Sequence, residues 1–424
     1  MLVLPAIATA VSLLIAGCGS RPTAGDGHPS SPAAATASQT ASTSPAAASS
    51  PGGATAPATR SPGACGVPSP AAPGARNELG GVQFVSGSTG WVVGPDRILG
   101  TDDGGRHWLT EYRTTARARL SSVDFVDSSH GWVVGASTIL ATADSGEKWR
   151  QLPEPCPLLR TVHFISPAVG FAVAGGQVAG GPVSGGVVSG GTPVVGGVLL
   201  TTTDGGQHWR RLPAPPNVQT VCFAAPGSGW LGADGRIYGT ADGGRTWTLA
   251  VRGVRAPVNM PGLAAVECAG PSAAWAELLG PDAAMSQQPH VGYHASGRAW
   301  RPIFAEQYFP YPGVPVSAQS PGSYSGPFSA VSPADAVFID FCPSCGNGTA
   351  PMGIARKGGA LLQARGHVGG LTQADAAAFV TVDDGWVVGS HATYQPPNGP
   401  VAVVNRIVHT TDGGRTWQVQ YSAP

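Results

Sequence analysis

From about residue 80 onward the apolar residues fall in short runs broken by Gly, Asp, Ser and Pro, with no stripe at three- and four-residue spacing. Short apolar runs bounded by turn formers predict β-strands, and the missing 3.6-residue period excludes amphipathic helices. The runs also repeat. One unit recurs: a Val-x-Phe strand, a tight turn, Gly-Trp-Val-Val-Gly, a variable stretch, then Thr-x-Asp-Gly-Gly-x-x-Trp. The first copy has Val82-Gln83-Phe84, Gly90-Trp91-Val92-Val93-Gly94, then Thr101, Asp103 and Trp108. The second has Val123-Asp124-Phe125, Gly131-Trp132-Val133-Val134-Gly135, then Thr142, Asp144 and Trp149. A third runs from Val162-His163-Phe164 through Phe171 to Thr202, Asp204 and Trp209, and a fourth from Val221-Cys222-Phe223 through Trp230 to Thr240, Asp242 and Trp247. Two copies have decayed: Val266-Glu267-Cys268 with Trp275 leads to Ser296-Gly297-Arg298-Ala299-Trp300, and Ala336-Val337-Phe338-Ile339 leads to Arg356-Lys357-Gly358-Gly359. The last is intact, with Ala378-Phe379-Val380, Gly385-Trp386-Val387-Val388-Gly389, Thr410, Asp412 and Trp417.

Seven units, each with three or four short β-prone stretches, predict an all-β fold: a seven-bladed β-propeller whose blades bury their faces only against one another. The Thr-x-Asp-Gly-Gly-x-x-Trp string resembles the Asp-box, or bacterial neuraminidase repeat. Its pairing with Gly-Trp-Val-Val-Gly resembles the photosystem II stability and assembly factor-like family of seven-bladed propellers. In such a box the Asp accepts backbone N–H bonds of its own turn and the Trp packs beneath the hairpin. Asp103, Asp144, Asp204, Asp242 and Asp412, with Trp108, Trp149, Trp209, Trp247 and Trp417, are therefore read as structural rather than catalytic. Asp-boxes occur in hydrolases, receptors and assembly factors alike, so the resemblance implies a fold and leaves the chemistry open.

Strand parity places the insertions. In an up-and-down blade the first and third turns lie on one face, and the second turn and the blade-to-blade connection lie on the other. The long insertions (175–197, 279–292, 301–328, 342–352 and 390–405) are all of the second kind and should share one face. Loops on a rigid scaffold are where binding concentrates. Phe304, Tyr308, Phe309, Tyr311, Tyr324 and Phe328, set among prolines in one of these insertions, are the candidate binding residues for a protein or a sugar. The Gly-rich insertion 175–197 reads as a flexible or extended hairpin.

Ahead of the repeats, residues 2–16 form an apolar run too short to span a bilayer comfortably. It is followed by Ile15-Ala16-Gly17-Cys18, which resembles a bacterial lipobox. The expected organisation is a lipoprotein signal peptide (1–17), a disordered Ala/Ser/Thr/Pro-rich linker (18–76) and the propeller (77–424), lipidated at Cys18 and held on the outer face of the cell membrane, or alternatively secreted. The remaining six cysteines suggest disulfides in an exported chain. Cys222 with Cys268, on innermost strands of neighbouring blades, and Cys342 with Cys345 are candidate pairs, leaving Cys65 with Cys156.

Composition narrows the function. Twenty-four basic against 24 acidic residues give no net charge, and hence no footprint for nucleic acid. His290 and His294 read as solvated rather than as a metal pair, and no metal or cofactor is expected. The insertion-face carboxylates Glu277, Asp282, Glu306 and Asp340 offer no pair that the sequence singles out for glycoside hydrolysis. Neither Arg97-Ile98-Leu99 nor Arg301-Pro302-Ile303 matches a sialidase element. The balance is against an enzyme. The reading is a monomeric, non-catalytic extracytoplasmic binding or assembly module for an envelope protein or glycan; the alternatives are an Asp-box glycoside hydrolase and a purely structural envelope protein.

Overall fold

The computed structural model describes residues 79–114, 118–136, 138–175, 183–184, 187–188, 196–253, 262–280, 287–342, 349–394 and 400–424. Residues 1–17 and 18–76, read above as a signal peptide and a linker, lie outside these residues, as do Cys18, Cys65, Asp282 and Cys345. Seven four-stranded antiparallel sheets follow one another in the chain, with no helix among the described residues. Their innermost strands are Gly81–Phe84, Leu120–Phe125, Leu159–Phe164, Val218–Ala225, Leu263–Cys268, Phe328–Ser329 and Gln373–Phe379, which open blades 1 to 7. Insertion 175–197 carries a short hairpin, Val183–Ser184 with Val187–Val188.

The repeat motif encodes how blades stack. The second-strand aromatic of one blade lies flat on the innermost-strand Phe of the next: Trp91 on Phe125 at 3.4 Å, Trp132 on Phe164 at 3.6 Å and Phe171 on Phe223 at 3.6 Å. Trp386 on Phe84 at 3.5 Å closes blade 7 on blade 1. The Asp-box Trp of the same blade then meets that Phe edge-on, as in Trp108–Phe84 and Trp149–Phe125. The first Gly of Gly-Trp-Val-Val-Gly is forced by this packing, because a Cβ at Gly131 would sit 2.4 Å from the Phe125 ring.

The middle residue of Val-x-Phe is the clasp between blades. It reaches sideways to the main chain of the Phe position in the next blade. Gln83 accepts from Phe125 N and donates to Phe125 O, Asp124 accepts from Phe164 N, and the His163 ring bonds Phe223 O. Glu267 accepts from Ala330 N and Ser329 from Phe379 N. Between blades 4 and 5 the same position is covalent, a Cys222–Cys268 disulfide, as the sequence suggested. Cys156 and Cys342 are also disulfide-bonded, with partners outside the described residues. At the seam from blade 7 to blade 1 the position is Ala378, and the clasp is missing.

Three expectations shift. Ala336–Ile339 is the second strand of blade 6; its innermost strand is Phe328–Ser329. In blade 7 the middle position is Ala378, one residue earlier than the string Ala378-Phe379-Val380 implies. The insertion at 390–405 is mostly sheet, because Gly385–Tyr394 and Pro400–Thr410 extend as a long hairpin.

Candidate functional site

The five Asp-boxes are alike to within a few tenths of an ångström. In each, the Thr hydroxyl donates to the Asp carboxylate at 2.8–3.0 Å and accepts the N–H of the Gly four residues on. The carboxylate also accepts a backbone N–H four residues downstream, from His107, Lys148, His208, Thr246 and Thr416. These bonds hold the carboxyl groups below their usual range, with Asp103, Asp204 and Asp412 near 2. Carboxylates committed in this way to their own turn act as turn formers, which supports the structural reading. Each box also bonds the first turn of its blade, as in Gly104 N to Ser88 O and Gly243 N to Gly227 O. Boxes and first turns thus share one face, and the insertions occupy the other.

On the insertion face, connection 306–327 joins blades 5 and 6. It is tied down along its length: Tyr308 N donates to Glu306, Ser320 N to Ala305 O, Gly322 N to Asp340, and Tyr324 exchanges backbone bonds with Phe341. Tyr308 and Val316 project from it, 61% and 83% exposed. Phe309 and Tyr311 are half-buried, and Tyr311 meets Tyr293 edge-on. Tyr324 lies beside Phe341. The other two candidates are not surface residues: Phe304 and Phe328 are buried around Phe338 and Trp275 in the core between blades 5 and 6. Of the six aromatics, the loop therefore presents one fully; Val316, exposed on the same connection, is apolar and a search for aromatics passes over it.

Beneath this loop lies a polar cluster that the sequence does not reveal. Glu277 near the end of the second strand of blade 5, His290 at the start of its third and Asp340 just past the second strand of blade 6 converge, each at most 1% exposed. His290 Nε2 stands 3.3 Å from Asp340 Oδ2 and 3.8 Å from Glu277 Oε1, and His290 Nδ1 is bonded to Gln288 O at 2.8 Å. Burial and the Asp340 charge push Glu277 up to about 8. For His290, burial opposes the cation, but Asp340 and Glu277 outweigh it and raise the ring to about 9. The expectation of solvated histidines is corrected for both rings: His290 is enclosed, and His294 is buried against Trp275 with Nε2 on Pro333 O. Their signal was available only in part, since strand alternation puts positions 290 and 294 on one face but cannot say what that face meets.

The seven innermost strands surround a central cavity of about 350 Å³, which Arg160, Asp124, His163 and Glu267 line. Desolvation there lowers Arg160 to about 10 and raises Glu267 to about 8. Asp124, His163 and Glu267 are already committed as interblade clasps, so this cavity is first a consequence of ring closure.

Repeat, boxes and blade packing together define an Asp-box seven-bladed β-propeller. The family model described as "Photosynthesis system II assembly factor YCF48" matches residues 74–158 and 113–262, and the chain resembles that family over this span. Among solved structures, the GH74 enzyme of Niastella koreensis is 13% identical, covering 82% of this chain and 67% of that one with a TM-score of 0.51. The GH74 xyloglucanase of Xanthomonas campestris is 12% identical over 82% and 68%, also at 0.51. A structure titled "YCF48 bound to D1 peptide" is 15% identical over 73% and 90%, at 0.47. At these identities the solved structures bear on the fold alone. No curated protein matches the chain.

Proposed function

We propose that this protein is a non-catalytic binding or assembly module, anchored through Cys18 to the outer face of a bacterial cell membrane, whose insertion face receives an envelope protein. The observation that carries the reading is connection 306–327, where Tyr308 and Val316 stand exposed on a backbone already fixed by internal bonds. Exposed apolar groups on a pre-ordered loop give up little conformational freedom on binding. The family match, to proteins described as assembly factors, supports the same reading. A hydrolase needs two carboxylates facing a cleft, whereas the carboxylates that stand closest on this face are sealed from solvent.

The test is cross-linking and affinity capture from native envelopes, comparing the full chain with a Tyr308→Ala/Val316→Ala variant, captured species being identified by mass spectrometry. Both side chains are exposed, so the variant should fold as the parent does. A protein captured by the parent and lost with the variant is the expected result. Capture of a glycan instead would replace the partner class, and equal capture by both forms, or capture by neither, would remove connection 306–327 from the function.

A further inference from the structure

We propose that Glu277, His290 and Asp340 form a binding site for one divalent transition-metal ion, of the Zn²⁺ or Mn²⁺ type, at the junction of blades 5 and 6. The inference is independent of the partner proposed above.

Geometry is the first support. One ligand atom from each residue lies within 4.8 Å of the others. At a metal–ligand distance of about 2.1 Å, the His290–Asp340 and His290–Glu277 separations of 3.3 and 3.8 Å subtend angles of about 105° and 130°, both open to one ion bound at His290 Nε2. The 3.3 Å contact is also long for a charge-assisted hydrogen bond, which settles at about 2.7–2.9 Å.

The second support is unmet bonding. Asp340 Oδ1 and Glu306 Oε1 are buried without a hydrogen-bond partner, and the Glu277 carboxyl, buried as well, is approached by the Ser325 hydroxyl. Three buried carboxyl groups gather around one imidazole, and several of their oxygens are unmet. A buried polar atom left without a partner lowers stability. A divalent cation would fill those lone pairs at once, displacing the protons that the carboxyl groups otherwise hold.

The outer shell has the form such a site requires. Metal-bound histidines hold their other ring nitrogen on a carbonyl or carboxylate, which fixes the tautomer. Here Nδ1 is held by Gln288 O, leaving Nε2 directed at the two carboxylates. Asp340 Oδ2 is in turn oriented by Gly322 N, from connection 306–327. The donor set of one imidazole and carboxylates suits Zn²⁺ or Mn²⁺ better than Ca²⁺ or Mg²⁺, which take oxygen alone. The position also makes structural sense. Blades 5 and 6 are the two whose Asp-boxes have decayed, and an ion there would join both blades to the connection that crosses between them.

The experiment uses the full chain, stripped with chelator and then titrated with Zn²⁺ or Mn²⁺, with stoichiometry read by native mass spectrometry and Tm by calorimetry. One equivalent bound, with a Tm that rises on loading and falls again with chelator, is the expected result. Glu277→Gln, nearly isosteric, should bind more than about tenfold more weakly and lose the Tm response. His290→Ala should do the same, while the exposed pair variants His107→Ala and His208→Ala should not. If the stripped protein takes up no ion, the cluster holds protons only and the proposal is wrong. Should the wild-type ion persist in both Glu277→Gln and His290→Ala, it belongs to surface His–Asp pairs, and the proposal again fails.

Discussion

Gly131→Ala tests the stacking rule at one atom. The added Cβ would lie 2.4 Å from the Phe125 ring, about 1.4 Å inside an ordinary carbon–carbon contact of about 3.8 Å. The ring cannot give way, because Trp91 lies flat on one face at 3.4 Å and Trp149 stands edge-on at 5.9 Å. Either the stack opens or the second strand of blade 2 shifts against its sheet. Overpacking of this kind costs about 1–3 kcal/mol, and at about 2–4 °C per kcal/mol for a large domain the apparent Tm should fall by about 2–12 °C. Differential scanning calorimetry against a Gly227→Ala control supplies the comparison, since a Cβ there meets nothing nearer than 3.5 Å. If Gly131→Ala melts with the parent, the Phe–Trp stack does not constrain the glycine and the physical account of the motif is wrong.

Removing the Cys222–Cys268 bond, which closes a loop of 46 residues, should cost about 4 kcal/mol by the loop-entropy estimate; the check is denaturant unfolding of a Cys222→Ala/Cys268→Ala variant against the parent, both without reductant so that the bonds of Cys156 and Cys342 stay in place. Glu267 is raised by desolvation to about 8 from 4.5, so its contribution to stability is fully present below pH 4.5 and lost as pH rises through about 8. Glu267→Gln, which keeps an acceptor for Ala330 N, should flatten the fall in Tm between pH 5 and 8, and an unchanged slope would clear Glu267 of it. Asp412 is lowered to about 2 from 3.8 by its bonds to Thr416 and Thr410, so its contribution holds above 3.8 and goes as pH falls through about 2; Asp412→Ala should lower Tm at pH 7 and leave partner capture intact. Cys18→Ser should release the protein from membranes into the medium, and retention on fractionated membranes would reject the lipid anchor.

The fold was legible because the residues that make it recur. Val-x-Phe, Gly-Trp-Val-Val-Gly and the Asp-box each name one strand or turn, and repetition turns weak local signals into seven placed blades. Where the motif decays the reading slips: blade 6 has no Val-x-Phe string, so the pattern points to Ala336–Ile339 as the innermost strand and leaves Phe328, which belongs there, among the loop aromatics. The buried cluster was illegible for another reason. Glu277, His290 and Asp340 lie on two blades, 63 residues apart at the extremes, and nothing periodic links them. Only the stacking of blade 5 on blade 6 brings them within reach. The clasp at the middle of Val-x-Phe was hidden differently, since Gln, Asp, His, Glu and Ser share no property except reaching a neighbour's main chain, and Cys222 bonds a neighbouring side chain instead.

Each described blade is made wholly of consecutive residues, and the last takes no strand from the first. Blade 7 meets blade 1 through the Trp386–Phe84 stack and through bonds from Trp386 and Gln420 to Gly104 O, without a shared sheet. The circle is thus joined end to end like stacked wedges rather than buckled like a belt. A whole repeat can be gained or lost in such a chain without cutting any sheet, because the described ends of the row rejoin by packing and hydrogen bonds rather than by a shared strand.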